Sequence, residues 1–305
     1  MTSSDPKPAG LLLALTTAIS WGTVPLAMTP LVASVSAVTV SWFRFAAAGL
    51  FLLLFFQLRG GLRRLPRPNR FEWALLIAAV IALVGNYTLY VASLSYVGAP
   101  VVQSVIQVAP VLMMVLSLWV FNEQFITRQW VGFVVLLAGI IWFCYTRLIE
   151  TGAAVDVFSK GVYLILAAAI SWVFYGLAQK RLLHALKSQQ VLMLIYLMGA
   201  ALMFPFADLG PLPTLGALEL GLLAFLGVNT LVAYGAFAEA LNHWDAARVS
   251  AVLAFQPVVT LIGASFLGWA IPSLWPAVPL TLPALSSALV IVLGSMLCAL
   301  GGKTR

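Results

Sequence analysis

Asn86, Tyr87 and Tyr90 stand three and four residues apart in otherwise apolar sequence, a spacing that puts them on one side of a helix. Gln103 and Gln107 repeat the four-residue spacing, with Ser104 at the edge of their stripe and Pro110 close to it. Amides and phenols of this kind hydrogen-bond a zwitterion, and the rings pack an apolar side chain. The same residues also suit a helix–helix hydrogen-bond cluster, or, for the tyrosines, an aromatic belt at a membrane surface. Trp21, Trp172, Tyr175 and Tyr234 add rings. Tyr175 lies three residues beyond Trp172 and shares its face. A pair of indoles beside a cavity fits an aromatic or large apolar substrate, and core packing accounts for them equally well.

Charged candidates are few. Arg44 is the one fixed cation deep inside an apolar run, and Glu239 is the one acid in such a run beyond its opening turn, where Glu72 and Glu219 stand. Arg44 suits a substrate carboxylate, or a structural anchor that snorkels or bonds helix carbonyls. A single acid near a helix end is a thin basis for a proton relay. Pro110 and Pro257 each remove a backbone donor and predict matched kinks, either static bends or hinges. Both histidines, His184 and His243, fall near helix ends, far from each other. No nucleophile–base set, metal-ligand spacing or phosphate-binding glycine loop is present, so no enzyme chemistry, metal or cofactor is expected.

The elements that must carry these residues are membrane helices. Of 305 residues, 63% are hydrophobic and 8% charged, and mean hydropathy is +1.06. Soluble domains are about a quarter charged, so lipid must be the solvent. Runs of about 20 apolar residues span a bilayer. Ten can be cut here, over 9–28, 36–57, 72–95, 99–120, 128–146, 161–179, 189–206, 217–241, 247–269 and 282–300. The first carries Trp21 and Pro25 and has a partner deep in the chain, so it reads as a retained helix and not as a signal peptide.

With ten helices and a cytoplasmic N-terminus, the basic residues sort by side. Lys7, Arg59, Arg63, Arg64, Arg67, Arg70, Arg128, Lys180, Arg181, Lys187, Arg248, Lys303 and Arg305 fall on the cytoplasmic side, and Arg147 and Lys160 fall on the other. Both termini are therefore expected in the cytoplasm. The net charge of +7 then reports topology, and nucleic acid is not an expected partner.

The chain also repeats itself. AlaIleSerTrp occurs at 18–21 and at 169–172, and Gly10, Leu13 and Leu15 match Gly161, Leu164 and Leu166. Further on, Glu72, Leu75, Leu76, Tyr87, Leu94, Ala99 and Pro110 match Glu219, Leu222, Leu223, Tyr234, Leu241, Ala246 and Pro257. The expected domains are residues 1–150 and 151–305. Five helices is an odd number, so the second half enters the membrane from the opposite side, as in transporters with inverted repeats.

This pattern resembles the EamA-type drug/metabolite transporters. The resemblance covers nearly the whole chain. It is carried by AlaIleSerTrpGly at 18–22, TrpPheArgPhe at 42–45, the Ala99–Pro100 pair with Pro110 and Glu123, and Gly132 with Gly139. Arg44, Pro110 and Glu123 match an arginine, a proline and a glutamate common in the family. The second half departs from it, with Ala270 where Glu123 would repeat. Within the family the sequence looks most like the aromatic amino-acid exporters of the YddG type. The resemblance implies an all-α protein of ten helices in two inverted halves. It implies export of aromatic and other neutral or amphiphilic amino acids across a bacterial inner membrane, by alternating access and as a monomer. Trp21, Asn86, Tyr87, Tyr90, Gln103, Gln107, Trp172, Tyr175 and Tyr234 would line the cavity. A broad drug or metabolite exporter of the same fold is the nearest alternative, and a channel or intramembrane enzyme is the alternative of a different class.

Overall fold

A computed structural model describes residues 8–59, 68–109, 111–112, 115–116, 126–183, 185–243, 249 and 252–300. Among these residues the fold is entirely helical. The helices are α1 (Pro8–Met28), α2 (Ala37–Leu58), α3 (Arg70–Val105), α4 (Thr127–Thr151), α5 (Val155–Leu182), α6 (Ser188–Met203), α7 (Ala217–His243), α8 (Gln256–Ala270) and α9 (Leu282–Leu300). Seven of them are long and apolar enough to cross a bilayer, and Gln256–Ala270 and Leu282–Cys298 are shorter apolar helices. A helix satisfies its own backbone polar groups, which lipid cannot do.

The ends are set by local chemistry. Asn69 and Glu72 form a capping box on α3: Glu72 N donates to Asn69 Oδ1 at 2.9 Å and Asn69 N donates to Glu72 Oε2 at 2.7 Å. The repeat partner of Glu72 does the same on α7, where Gly216 N donates to Glu219 Oε2 at 2.6 Å. Gly152 closes α4 in the left-handed conformation, with φ 58°.

The expected division between the third and fourth spans is a bend inside α3. Gly98 has φ 72° and ψ 167°, and Pro100 follows it. Only glycine adopts that backbone without strain. Two spans are less continuous than the sequence predicts. The fourth is interrupted at Ile106 and Gln107, which form a turn; Gln107 N donates to Ser104 O, three residues back. The ninth, expected over 247–269, is interrupted at 254–255, and α8 starts only at Gln256.

Four interfaces dominate the packing: α3 with α5, α4 with α9, α1 with α7 and α2 with α6. The α4–α9 contact is made by glycines. A Cβ on Gly294 would stand 2.3 Å from Leu136 N, and one on Gly132 would stand 2.6 Å from Cys298 N. Backbones this close gain van der Waals contact and exclude lipid. Inside lie two large apolar clusters and a small third one. The first includes Leu31, Val102, Leu136, Phe143 and Ile291, and the second includes Phe45, Leu76, Leu83 and Tyr196. The outward faces carry exposed Leu12, Leu54, Ile81, Ile141, Phe174 and Phe266. A water-facing surface would not tolerate so much apolar area, and acyl chains do.

Candidate substrate-binding site

Arg44 projects from α2 into the interior and is 5% exposed. Its Nε donates to Thr230 Oγ1 on α7 at 3.2 Å. Its guanidinium carbon lies 4.4 Å from the centre of the Tyr87 ring on α3, a cation–π contact. Among the described residues no carboxylate is within ion-pair distance of it.

Around this cation runs a row of rings. Phe45 meets Tyr87 edge-on at 4.8 Å between centroids, and meets Tyr196 on α6 at 5.2 Å. Tyr196 approaches Tyr234 on α7 at 6.4 Å. Tyr234 meets Trp21 on α1 at 5.3 Å, and Trp21 meets Phe237 at 5.4 Å. All lie at centroid distances of favourable aromatic pairs. The row crosses α1, α7, α6, α2 and α3, so Trp21, Tyr234 and Tyr87 belong to one aromatic wall. Trp21 and Tyr234 keep part of their surface uncovered, whereas Tyr87 is buried.

The two polar stripes read from the sequence touch directly. Tyr90 donates its hydroxyl to Gln103 Oε1 at 2.7 Å. Gln103 Nε2 donates in turn to Gln256 Oε1 at 2.6 Å. Gln256 opens α8, and its carbonyl accepts from Thr260 Oγ1 at 3.2 Å; the same hydroxyl donates to Gly22 O on α1 at 2.6 Å. The chain of bonds thus runs from α3 through α8 to α1.

The remaining predicted residues are placed as follows. Asn86 Nδ2 donates to Ala168 O at 2.8 Å and ties α3 to α5. Trp172 packs against both large apolar clusters. Tyr175 is buried. Gln107 is buried, and its Nε2 has no partner among the described residues. It occupies the turn at 106–107, so it does not continue the Gln103 face at helical spacing. Glu239 has a side chain 55% exposed, in the last turn of α7, 3.3 Å from His243 Nε2, a spacing typical of a helix-surface pair. Pro257 lies in the first turn of α8. There its missing donor costs nothing, so it starts a helix and does not kink one. Pro110 lies outside the described residues. Among them no group of three His, Cys, Asp or Glu could hold a metal ion.

Thr230 and Phe45 were not legible as site residues. Thr230 had one signal, its four-residue spacing from Tyr234 on the same helix face. Phe45 had only its adjacency to Arg44. Tyr196 stood out by no polar neighbour.

The profile of the EamA-like transporter family matches this chain twice, over residues 8–145 and 159–300. The chain is 38% identical over 298 residues to an Escherichia coli K12 protein named as the uncharacterized inner membrane transporter YhbE, covering 96% of this chain and 92% of that one. It is 33% identical to an uncharacterized transporter of Haemophilus influenzae, covering 96% of this chain and 95% of that one. A solved crystal structure shares the fold with TM-score 0.66 at 17% sequence identity, covering 96% of this chain and 98% of that chain.

Proposed function

The chain belongs to the EamA-like transporter family, and on that premise we propose that it exports amino acids, aromatic and other neutral or amphiphilic ones, across a bacterial inner membrane. Membership makes it a transporter and not an enzyme. The relatives' description as inner membrane transporters and the seven spanning helices support that location.

The observation that carries the substrate class is the aromatic wall of Trp21, Tyr234, Tyr196, Phe45 and Tyr87, together with the uncharged Tyr90–Gln103–Gln256 chain. Rings suit the apolar part of an amino acid, and amides suit its zwitterionic head. Trp21, Asn86, Tyr87, Tyr90, Gln103, Gln107, Trp172, Tyr175 and Tyr234 line or support this central site. Residues 1–150 and 151–305 form two five-helix repeats inserted in opposite senses, with both termini cytoplasmic, and the protein works as a monomer. The packing supports this arrangement. If the halves exchange places, α3-on-α5 becomes α1-on-α7, and both are main interfaces. Alternating access then consists of the halves opening first to one side and then to the other.

The rival of the same fold is a broad drug or metabolite exporter. A proton-exchanging exporter of cationic drugs needs a carboxylate in its pathway, and Glu239 stands half-exposed at the end of α7. The deciding experiment is counterflow in proteoliposomes with a panel of labelled amino acids, with and without an imposed pH gradient. Exchange of phenylalanine or tryptophan is expected. Absence of exchange for every amino acid, with exchange of an unrelated amphiphile, would hand the function to the rival.

A further inference from the structure

Arg44 cannot give up its charge. A buried charge without a counter-charge is strongly disfavoured, yet α2 places this one in the interior at 5% exposure. What holds it is a neutral hydroxyl on Thr230 and the face of Tyr87. Only Nε has a hydrogen-bond acceptor among the described residues. The two terminal nitrogens, the fork that fits a carboxylate with two parallel bonds, have none. A second feature points to the same place. Phe45, the next residue on α2, meets both Tyr87 and Tyr196 edge-on, so the aromatic wall begins beside the cation.

We propose that Arg44 is the binding site for the carboxylate of a dissolved substrate, whose apolar part lies along the aromatic wall. The unused fork then acquires an acceptor, and the buried cation acquires a counter-charge. The chain keeps Arg44 only partly satisfied because its partner arrives with each transport cycle. This deepens the amino-acid reading and rests on it only in taking the ligand to be cargo.

The test uses the full chain in phosphatidylcholine nanodiscs, with binding read by tryptophan fluorescence. The probes are L-phenylalanine, 3-phenylpropionate and 2-phenylethylamine, which share a ring and differ in carboxylate and amine. Wild-type protein is expected to bind the first two about ten- to a hundredfold tighter than the amine. Arg44→Gln should erase that difference by weakening the two carboxylates alone. Arg44→Lys should fall between, since it keeps the charge and loses the fork. Arg44→Lys also keeps the test open if Arg44→Gln does not fold. Equal wild-type affinity for the amine and the carboxylates overturns the site and leaves the amino-acid reading standing. Equal weakening of all three probes by Arg44→Gln also overturns it, because that is the mark of a structural residue. Binding of phenylpropionate without phenylalanine keeps the site and overturns the amino-acid reading. Binding of no probe overturns both. Loss of carboxylate affinity when phosphatidylglycerol replaces part of the lipid would assign the site to a headgroup and overturn the dissolved ligand.

Discussion

Gln103 Nε2 donates to Gln256 Oε1 at 2.6 Å, and each residue stands within four positions of a break in its helix. Gln103 precedes the turn at 106–107, and Gln256 follows the turn at 254–255. Broken helices expose backbone polar groups that a continuous helix would have paired, and membrane proteins tolerate them only inside protein or beside a wet cavity. The bond therefore joins the N-terminal and C-terminal parts of the chain at the place where both backbones are least regular. Both side chains are buried. Any motion that parts the two halves at this level must first break that bond.

Replacing either glutamine by leucine should destabilise the protein by about 1–3 kcal/mol, because the other amide is left buried without its partner. Replacing both should cost less than the sum of the two single changes. A double-mutant cycle on unfolding in detergent measures the coupling. Strict additivity would mean that the two amides do not depend on each other.

Trp21 meets Tyr234 edge-on and Phe237 at a tilt. If these rings receive the substrate's ring, Trp21→Ala should raise KM for phenylalanine roughly tenfold and leave alanine counterflow nearly unchanged. Trp21→Phe should recover most of the loss. An equal fall for both substrates would mark Trp21 as packing alone.

The helical class and the position of nearly every helix were readable, because a span is a long uninterrupted apolar run and breakers such as Gly98–Pro100 stand between runs. The repeat was readable too, but its residues had different meanings. Glu72 and Glu219 looked like repeat markers within apolar segments. In the structure both close the first turn of a helix by accepting its leading N–H groups. The helix breaks at 106–107 and 254–255 had one signal in the sequence, the kinks expected in the turns before Pro110 and Pro257. Neither Ile106–Gln107 nor Ala254–Phe255 contains a breaker, and Pro257 predicts a kink as readily as a helix start. In the site, Tyr90 and Gln103 were readable as partners because both are polar in apolar sequence. Arg44 was readable as an anomaly, but its partner Thr230 was not, since their contact joins two helices far apart in sequence.

Glu72→Ala and Glu219→Ala should each cost about 1 kcal/mol, because each removes the acceptor that satisfies a helix-start donor. Gln substitutions, which keep an acceptor at the same reach, should cost less. Thermal unfolding in detergent reads both. No loss for either alanine variant would show that water satisfies those N–H groups equally well.

Gly294 sets how closely α4 and α9 approach. An added Cβ would lie 2.3 Å from Leu136 N and 2.6 Å from Leu136 Cα, and neither is a flexible side-chain tip that could swing away. Gly294→Ala must therefore push two packed backbones apart, at a cost of about 1–3 kcal/mol. Gly132→Ala should behave alike, since its Cβ would meet Cys298 N at 2.6 Å and Gly294 O at 2.8 Å. Gly235→Ala in α7 is the control. Nothing lies within 4 Å of its added Cβ, and alanine in a helix is favoured over glycine by up to about 1 kcal/mol. The apparent midpoint of thermal unfolding in detergent should fall for the first two variants and hold or rise for the third. A Gly294→Ala protein as stable as wild type would mean that α4 and α9 do not approach as closely as the structure places them.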